Sequence, residues 1–273
     1  MESQAALIVF AGRAGDRNNR AMAGSRVLGR ALGAATGLVE HVVGSPEPAL
    51  ATAWPAELEA ARAGLTELQG AIEAALRQAR RPIGAIGRCA AALATLPVIA
   101  RARPDAMVVW FDAHGDSNLP ENSPTGYLGG MVLTGAAGCW RTGLGDELDL
   151  SNVVLVGSRD LDDYERQLIE EGVIRLIAPG PDLGARLQKA LQGRPAYIHI
   201  DCDVLEPGIV PFELPVSGGL TLADLSEACA ALSEGEVVGL EIAEYEASWA
   251  DGAPGDPNQL VAALAPLLTV LTT

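Results

Sequence analysis

Short apolar runs and longer alanine- and leucine-rich stretches alternate along almost the whole chain. The runs are "ALIVFAG" (6–12), "GLVEHVV" (37–43), "IGAIG" (83–87), "AMVVWFDAH" (106–114), "SNVVLVGSRD" (151–160), "VIRLIA" (173–178), "AYIHIDCDV" (196–204) and "EVVGLEIAEY" (236–245). The 106–114 run shows little polar alternation, as expected of a strand covered on both faces. The stretches between read as helices at about 20–34, 56–79, 89–102, 161–171, 183–192, 222–233 and 256–271, with Asn18 or Asn19 as the cap of the first. The 56–79 segment carries the clearest three-to-four residue period. Strands separated by helices predict a three-layer α/β/α sandwich around a mostly parallel sheet of about eight strands. No linker, composition shift or repeat divides residues 1–273, so a single α/β domain is expected.

Composition supports a real core, since 49% of residues are hydrophobic. The 19 basic and 35 acidic residues leave a formal charge of −16. Such a chain repels nucleic acid and anionic membrane and suits cationic partners, either metal ions or substrates bearing guanidinium or ammonium groups. Four scattered cysteines (Cys89, Cys139, Cys202, Cys229) without CxxC spacing suggest a reduced, cytoplasmic protein. The beginning of the chain lacks the basic region of a signal peptide. The uncharged segment 257–273 is too short to span a membrane and contains Pro266, so it reads as a buried helix or a subunit contact.

Polar clusters stand where the apolar runs end: "DAHGDSN", "GSRDLDD", "DCDVLEP" and "EYEAS". In parallel α/β sheets these positions collect function. Residues at i and i+2 of a strand face one side with Cα atoms about 6.5 Å apart. Asp112 and His114 therefore converge, and Asp116 joins them if the chain turns after Gly115. Asp201 and Asp203 repeat the spacing at another strand end. Four carboxylates and an imidazole gathered in one partly buried place repel one another unless cations lie among them. Two divalent ions about 3.5–4 Å apart would remove the conflict and activate a shared water. Oxygen donors with one nitrogen favour manganese or a similar ion over structural zinc. "GRAGDR" lacks the phosphate-binding signatures, and Ser158 and Ser217 lack a nucleophile elbow.

In these motifs the sequence resembles the ureohydrolase family, which includes arginase, agmatinase, guanidinobutyrase and formimidoylglutamase. "FDAHGDSN" is similar to the family's D-A-H-x-D segment and "HIDCDVLEPGIVP" to its second metal segment. "PVSGGLT" (215–221) and "LEIAEYEAS" match later elements, and the similarity of pattern runs from Ala6 to about Leu271. The resemblance implies an arginase-like fold, two manganese ions, hydrolysis of a linear guanidino or amidine compound, and trimers or hexamers. Carried over by position, Asp112, His114, Asp116, Asp201 and Asp203 would be metal ligands, with Asp112 and Asp201 bridging. Asp116 and Glu244 would be catalytic. Glu244 would hold the guanidinium and Asp162 the distal end of the substrate. Asp162 also stands where a helix cap is needed, and Glu244 has acidic neighbours that are equally able to face solvent.

Two departures qualify the resemblance. The family's first metal segment reads Gly-Gly-Asp-His-Ser, whereas this chain has Ile86, Gly87, Arg88, Cys89 and Ala90. Cys89 stands where a histidine ligand is expected, as a thiolate ligand or as a small buried residue. Arg88 brings positive charge beside the cation site, so the ion that depends on Cys89 is expected to bind more weakly. In "TGYLGGMVL", Gly129 takes the place of a histidine found in arginases, which argues against a true arginase; neither His41 nor His199 is an obvious substitute. Three readings therefore stay open: a ureohydrolase-type enzyme, a one-ion metal amidohydrolase, and a regulatory or structural member without turnover.

Overall fold

The computed structural model describes residues 4–273. Eight strands form one sheet: β1 (Ala5–Phe10), β2 (Glu40–Val43), β3 (Arg81–Ala85), β4 (Met107–Phe111), β5 (Val153–Val156), β6 (Arg175–Ile177), β7 (Ala196–Asp201) and β8 (Val237–Ala243). Their order is β2-β1-β3-β8-β7-β4-β5-β6, and every pairing is parallel. Between and after the strands run α1 (Arg20–Thr36), α2 (Trp54–Arg77), α3 (Ala92–Ala102), α4 (Val132–Ala136), α5 (Asp163–Glu170), α6 (Leu183–Leu191), α7 (Leu222–Ser233), α8 (Asn258–Ala263) and α9 (Ala265–Thr272).

Strand alternation sorts the helices into two layers. On β1, Ala6, Ile8 and Phe10 pack with α2 and α3, while Ala5, Leu7 and Val9 face the other way, toward α1. On β4, Val108 and Trp110 share the first face; Met107, Val109 and Phe111 share the second, where α6, α7, α8 and α9 lie. Burial on both sides is the reason these strands are apolar at every position rather than at every second one. The edge strand β2 shows the opposite case: Glu40, His41 and Val42 stay partly open and only Val43 is buried.

The order of the strands places the functional site. β3 and β4 are consecutive strands in the chain, yet β8 and β7 lie between them. The carboxyl ends of β3, β8, β7 and β4 are therefore four neighbours in the middle of the sheet; the last three lead into polar clusters seen in the sequence, and β3 leads to Arg88 and Cys89.

Local signals explain most element ends. Asn19 stands at the N-cap of α1 without a side-chain cap bond, and Asn18 Oδ1 instead accepts from the Arg20 N–H at 2.8 Å; Gly37 terminates the helix in the left-handed region at φ 72°. Pro55 stands in the first turn of α2, where its missing N–H is harmless. The expected helix over 256–271 is two helices that break at Leu264, ahead of Pro266. Both are buried on one side through Leu260, Leu264, Leu267 and Leu271, so the apolar segment near residue 273 belongs to the core. Among the described residues no helix is long and apolar enough to cross a membrane.

Candidate metal centre

The end of β4 supplies the first half of the site. Asp112 is fully buried. Its Oδ2 accepts from Trp110 Nε1 at 2.9 Å and its Oδ1 from the His114 N–H at 2.6 Å. From the neighbouring β7, Asp203 Oδ1 accepts from the Ala113 N–H at 2.9 Å. His114 Nδ1 then lies between the two carboxylates, 3.0 Å from Asp203 Oδ2 and 3.3 Å from Asp112 Oδ1. Asp201 Oδ1 accepts from the Asp203 N–H at 2.7 Å. The PVSGGLT segment buttresses this strand end: Leu220 bridges to Leu205, and a Cβ on Gly219 would meet the Leu205 carbonyl carbon at 2.5 Å.

After Gly115 the chain turns as the sequence suggests, with Asp116 in the left-handed region at φ 45°. A Cβ on Gly115 would meet the Glu165 carboxyl carbon at 2.6 Å. That carboxylate accepts from the Ser117 N–H and from the Asp162 N–H, each at 3.0 Å, and so ties the turn to α5. Burial pushes Glu165 up to about 7.

β3 and β8 supply the second half. Cys89 Sγ lies 3.0 Å from Asp201 Oδ2 and 3.2 Å from His199 Nε2. His199 stacks on Trp110 with 3.5 Å between ring centres, and its Nδ1 is 2.8 Å from Glu241 Oε1. Glu244, also left-handed at φ 62°, accepts from the Cys89 N–H at 2.9 Å and from Arg88 Nη1 at 2.5 Å. Non-glycine residues held there are strained by roughly 1–2 kcal/mol each, which the hydrogen bonds around them must hold in place.

Arg88 is buried, but its charge does not stand bare beside the cluster. Its guanidinium pairs with Asp16 at 3.1 Å, Glu213 at 2.8 Å, Glu244 and Glu246 at 3.3 Å. The sequence suggested that Arg88 would oppose a cation; the structure shows its charge met by four carboxylates.

Three overlapping sets of donor atoms result, each within 4.8 Å: Asp112, His114 and Asp203; Cys89, Asp112 and Asp116; Cys89, Asp201 and Glu244. In the absence of cations, protons balance the charge. Burial and then Asp112 push the Asp116 carboxyl well up, and burial and then Asp203 do the same to Asp201. Burial and Asp112 lift Asp203 to about 7. Burial pushes Asp112 up as well, but the hydrogen bond and charge of His114 outweigh it and hold Asp112 low. Burial and the surrounding carboxylates keep the Cys89 thiol protonated. Oxygen donors that must be neutralised, with one imidazole and one thiol, form a set suited to divalent cations.

A cavity of about 220 Å³ opens over these groups, and Cys89, His114, Asp116, Asp201, Asp203 and Glu244 all line it. Asp162 lines it too: it precedes α5, and its Oδ2 accepts from Asn118 Nδ2 at 2.7 Å. Every site residue anticipated from the sequence therefore reaches this cavity, except Asp112, which lies beneath it. Glu165, Tyr127 and the network around Arg88 escaped the sequence reading, and His199 was weighed there only as a substitute for the missing histidine. Two of them left a signal: Glu165 stands three residues after Asp162, the capping-box spacing, and His199 stands two before Asp201, on the same face of β7.

Comparison with known proteins agrees with this geometry. The arginase family model matches residues 31–265, and the chain belongs to that family of hydrolases. It is 39% identical over 265 residues to an N(omega)-hydroxy-L-arginine amidinohydrolase of Streptomyces lavendulae, covering 97% of this chain and 95% of that protein. Among solved structures, Entamoeba histolytica arginase in complex with L-ornithine superposes with a TM-score of 0.82 at 21% identity, over 98% of both chains. Proclavaminate amidino hydrolase of Streptomyces clavuligerus gives 0.71 at 15% identity, over 98% of this chain and 90% of that one. At these identities the two structures speak for the fold alone.

Proposed function

We propose that this chain hydrolyses a C–N bond of a linear guanidino compound, with N-hydroxyarginine as the favoured substrate, and that it works with two manganese ions. The observation that carries this reading is the convergence of three overlapping donor sets on one cavity. The 39% identity to a hydroxyarginine amidinohydrolase supports the choice of substrate.

Asp112, His114 and Asp203 would hold one ion, and Cys89, Asp116 and Asp201 the other, with Asp112 shared between two of the donor sets. When bound, the ions supply an activated water and polarise the guanidino carbon. Each oxygen of Glu244 already accepts one hydrogen bond, and the lone pairs that remain can orient a guanidinium N–H. Asp116 lines the cavity beside these groups. Its carboxylate takes the proton that water gives up as the new C–O bond forms, and returns it to the nitrogen that leaves as the C–N bond breaks. Arginine would give urea and ornithine; N-hydroxyarginine would give hydroxyurea and ornithine. Asp162, at the rim, would meet the amino-acid end. A single domain, a cytoplasmic location and a trimer or hexamer complete the proposal.

The test is turnover of N-hydroxyarginine, arginine, agmatine and guanidinobutyrate by manganese-loaded protein whose metal content has been measured. Release of hydroxyurea or urea is expected. Silence across the whole panel with the metal sites full would refute the reading.

A further inference from the structure

Tyr127 lies on the loop between β4 and α4, and its ring takes the room that a side chain at Gly129 would need. A Cβ at position 129 would lie 2.5 Å from Tyr127 Cε1 and 3.1 Å from Cζ. Gly129 is not among the residues with positive φ, so its backbone does not demand glycine. The ring demands it. The Arg17 guanidinium lies 4.4 Å from the ring centre, and Thr125 Oγ1 holds the Tyr127 N–H at 3.2 Å. The ring is thus held between Arg17 and the space at Gly129, on a backbone anchored by Thr125.

The phenol end is not fixed in the same way. Tyr127 lines the cavity with Glu244, Cys89 and Arg17. Its hydroxyl has no hydrogen-bond partner among the described residues, although the charged Glu244, Arg88 and Asp16 lie around it. Burial, and Glu244 after it, keep the phenol protonated, so it is both donor and acceptor. A guanidinium offers only N–H donors, whereas an N-hydroxyguanidino group adds an oxygen that accepts.

We propose that Tyr127 is a specificity residue whose hydroxyl hydrogen-bonds the oxygen of an N-hydroxyguanidino substrate, and that Gly129 makes room for it. This rests on the guanidino-hydrolase reading above and deepens it. A sealed site that reads a substrate hydroxyl discriminates by about 10⁴-fold or more, because the orphaned partner stays dry. Here the cavity is open and water can satisfy the phenol when the oxygen is missing. One net hydrogen bond, about tenfold, is the expected preference.

The experiment compares kcat/KM for N-hydroxyarginine and for arginine in wild type, Tyr127→Phe and Gly129→Ala, each manganese-loaded and checked by its melting curve. Calorimetric affinities for the same two compounds are measured alongside. In Tyr127→Phe the hydroxylated compound should lose about tenfold while arginine changes by less than about threefold. Gly129→Ala, which pushes the ring aside, should reproduce the loss. An equal fall for both compounds, or an unchanged ratio, overturns the proposal. If wild type turns over neither compound, the proposed function fails, yet the affinity ratio still reads Tyr127. A wild type that binds the two compounds equally, or neither, overturns the proposal as well.

Discussion

The two halves of the site solve the same electrostatic problem by different means. At β4 and β7, Asp112 and Asp203 flank the His114 imidazole, with Nδ1 3.3 Å from one carboxylate and 3.0 Å from the other. At β3 and β8 the carboxylate of Glu244 is held by Arg88, a cation that also serves Asp16, Glu213 and Glu246. The first arrangement is local, drawn from residues two apart on adjacent strands. The second gathers partners from widely separated loops. A donor set can thus be written into two strand ends, whereas the Glu244 carboxylate beside it needs a scaffold of its own.

Substitutions can separate the halves. The largest effect is expected for Asp112→Asn, which removes a group common to two donor sets. Manganese content and turnover should both collapse, as elemental analysis and a urea assay would show; retained metal would break the assignment of the first half. Arg88→Met should come next, because it leaves four carboxylates around an apolar side chain. Removing one partner of a buried ion pair costs roughly 3–5 kcal/mol, readable as a lower denaturant midpoint. Unchanged stability would mean that the second half is not built on Arg88.

The metal-free protein should also lose stability as pH rises. A carboxyl whose pKa is raised by folding stabilises the native state below its ordinary value, and that contribution fades as pH climbs through the raised one. For Glu165, lifted from 4.5 to about 7, the loss is on the order of 3 kcal/mol across that interval. Glu165→Gln should flatten this part of the profile in thermal melts, and manganese should flatten the part that comes from Asp203. Cys89→Ser should leave the Asp112–His114–Asp203 ion bound and weaken the other by about tenfold to a hundredfold, measured by metal titration. The smallest effect belongs to Asp162→Ala, with about 1 kcal/mol of stability and a modest rise in KM.

Much of this was legible in the sequence, and the boundary of legibility is physical. Apolar runs that stop abruptly at Asp112, Asp201 and Glu244 marked both the strands and their functional ends, because a parallel sheet buries its strands and opens only at the tips. Convergence of those tips depends on β8 and β7 lying between β3 and β4. That strand order was not read from the sequence, since periodicity cannot supply it. The Arg88 network was out of reach, because its partners lie 72 and 158 residues away in sequence at Asp16 and Glu246. The seat of the Tyr127 ring over Gly129 was equally hidden, since a loop has no period from which a contact can be read. The helix break at Leu264 was available from Pro266 and was overridden by the long apolar stretch.

The clasp that Glu165 makes has a mechanical consequence. One carboxylate grips both the turn bearing Asp116 and the amino end of α5, beside Asp162, so the group proposed to handle the proton and the residue proposed to meet the far end of a substrate are tied together through it. Lengthening or shortening the accepted molecule by shifting that helix would drag the chemistry out of register. Changes in substrate length in this chain should therefore arise on other walls of the cavity, around Ser123 and Thr125, whose hydroxyls accept from N–H groups of their own loop.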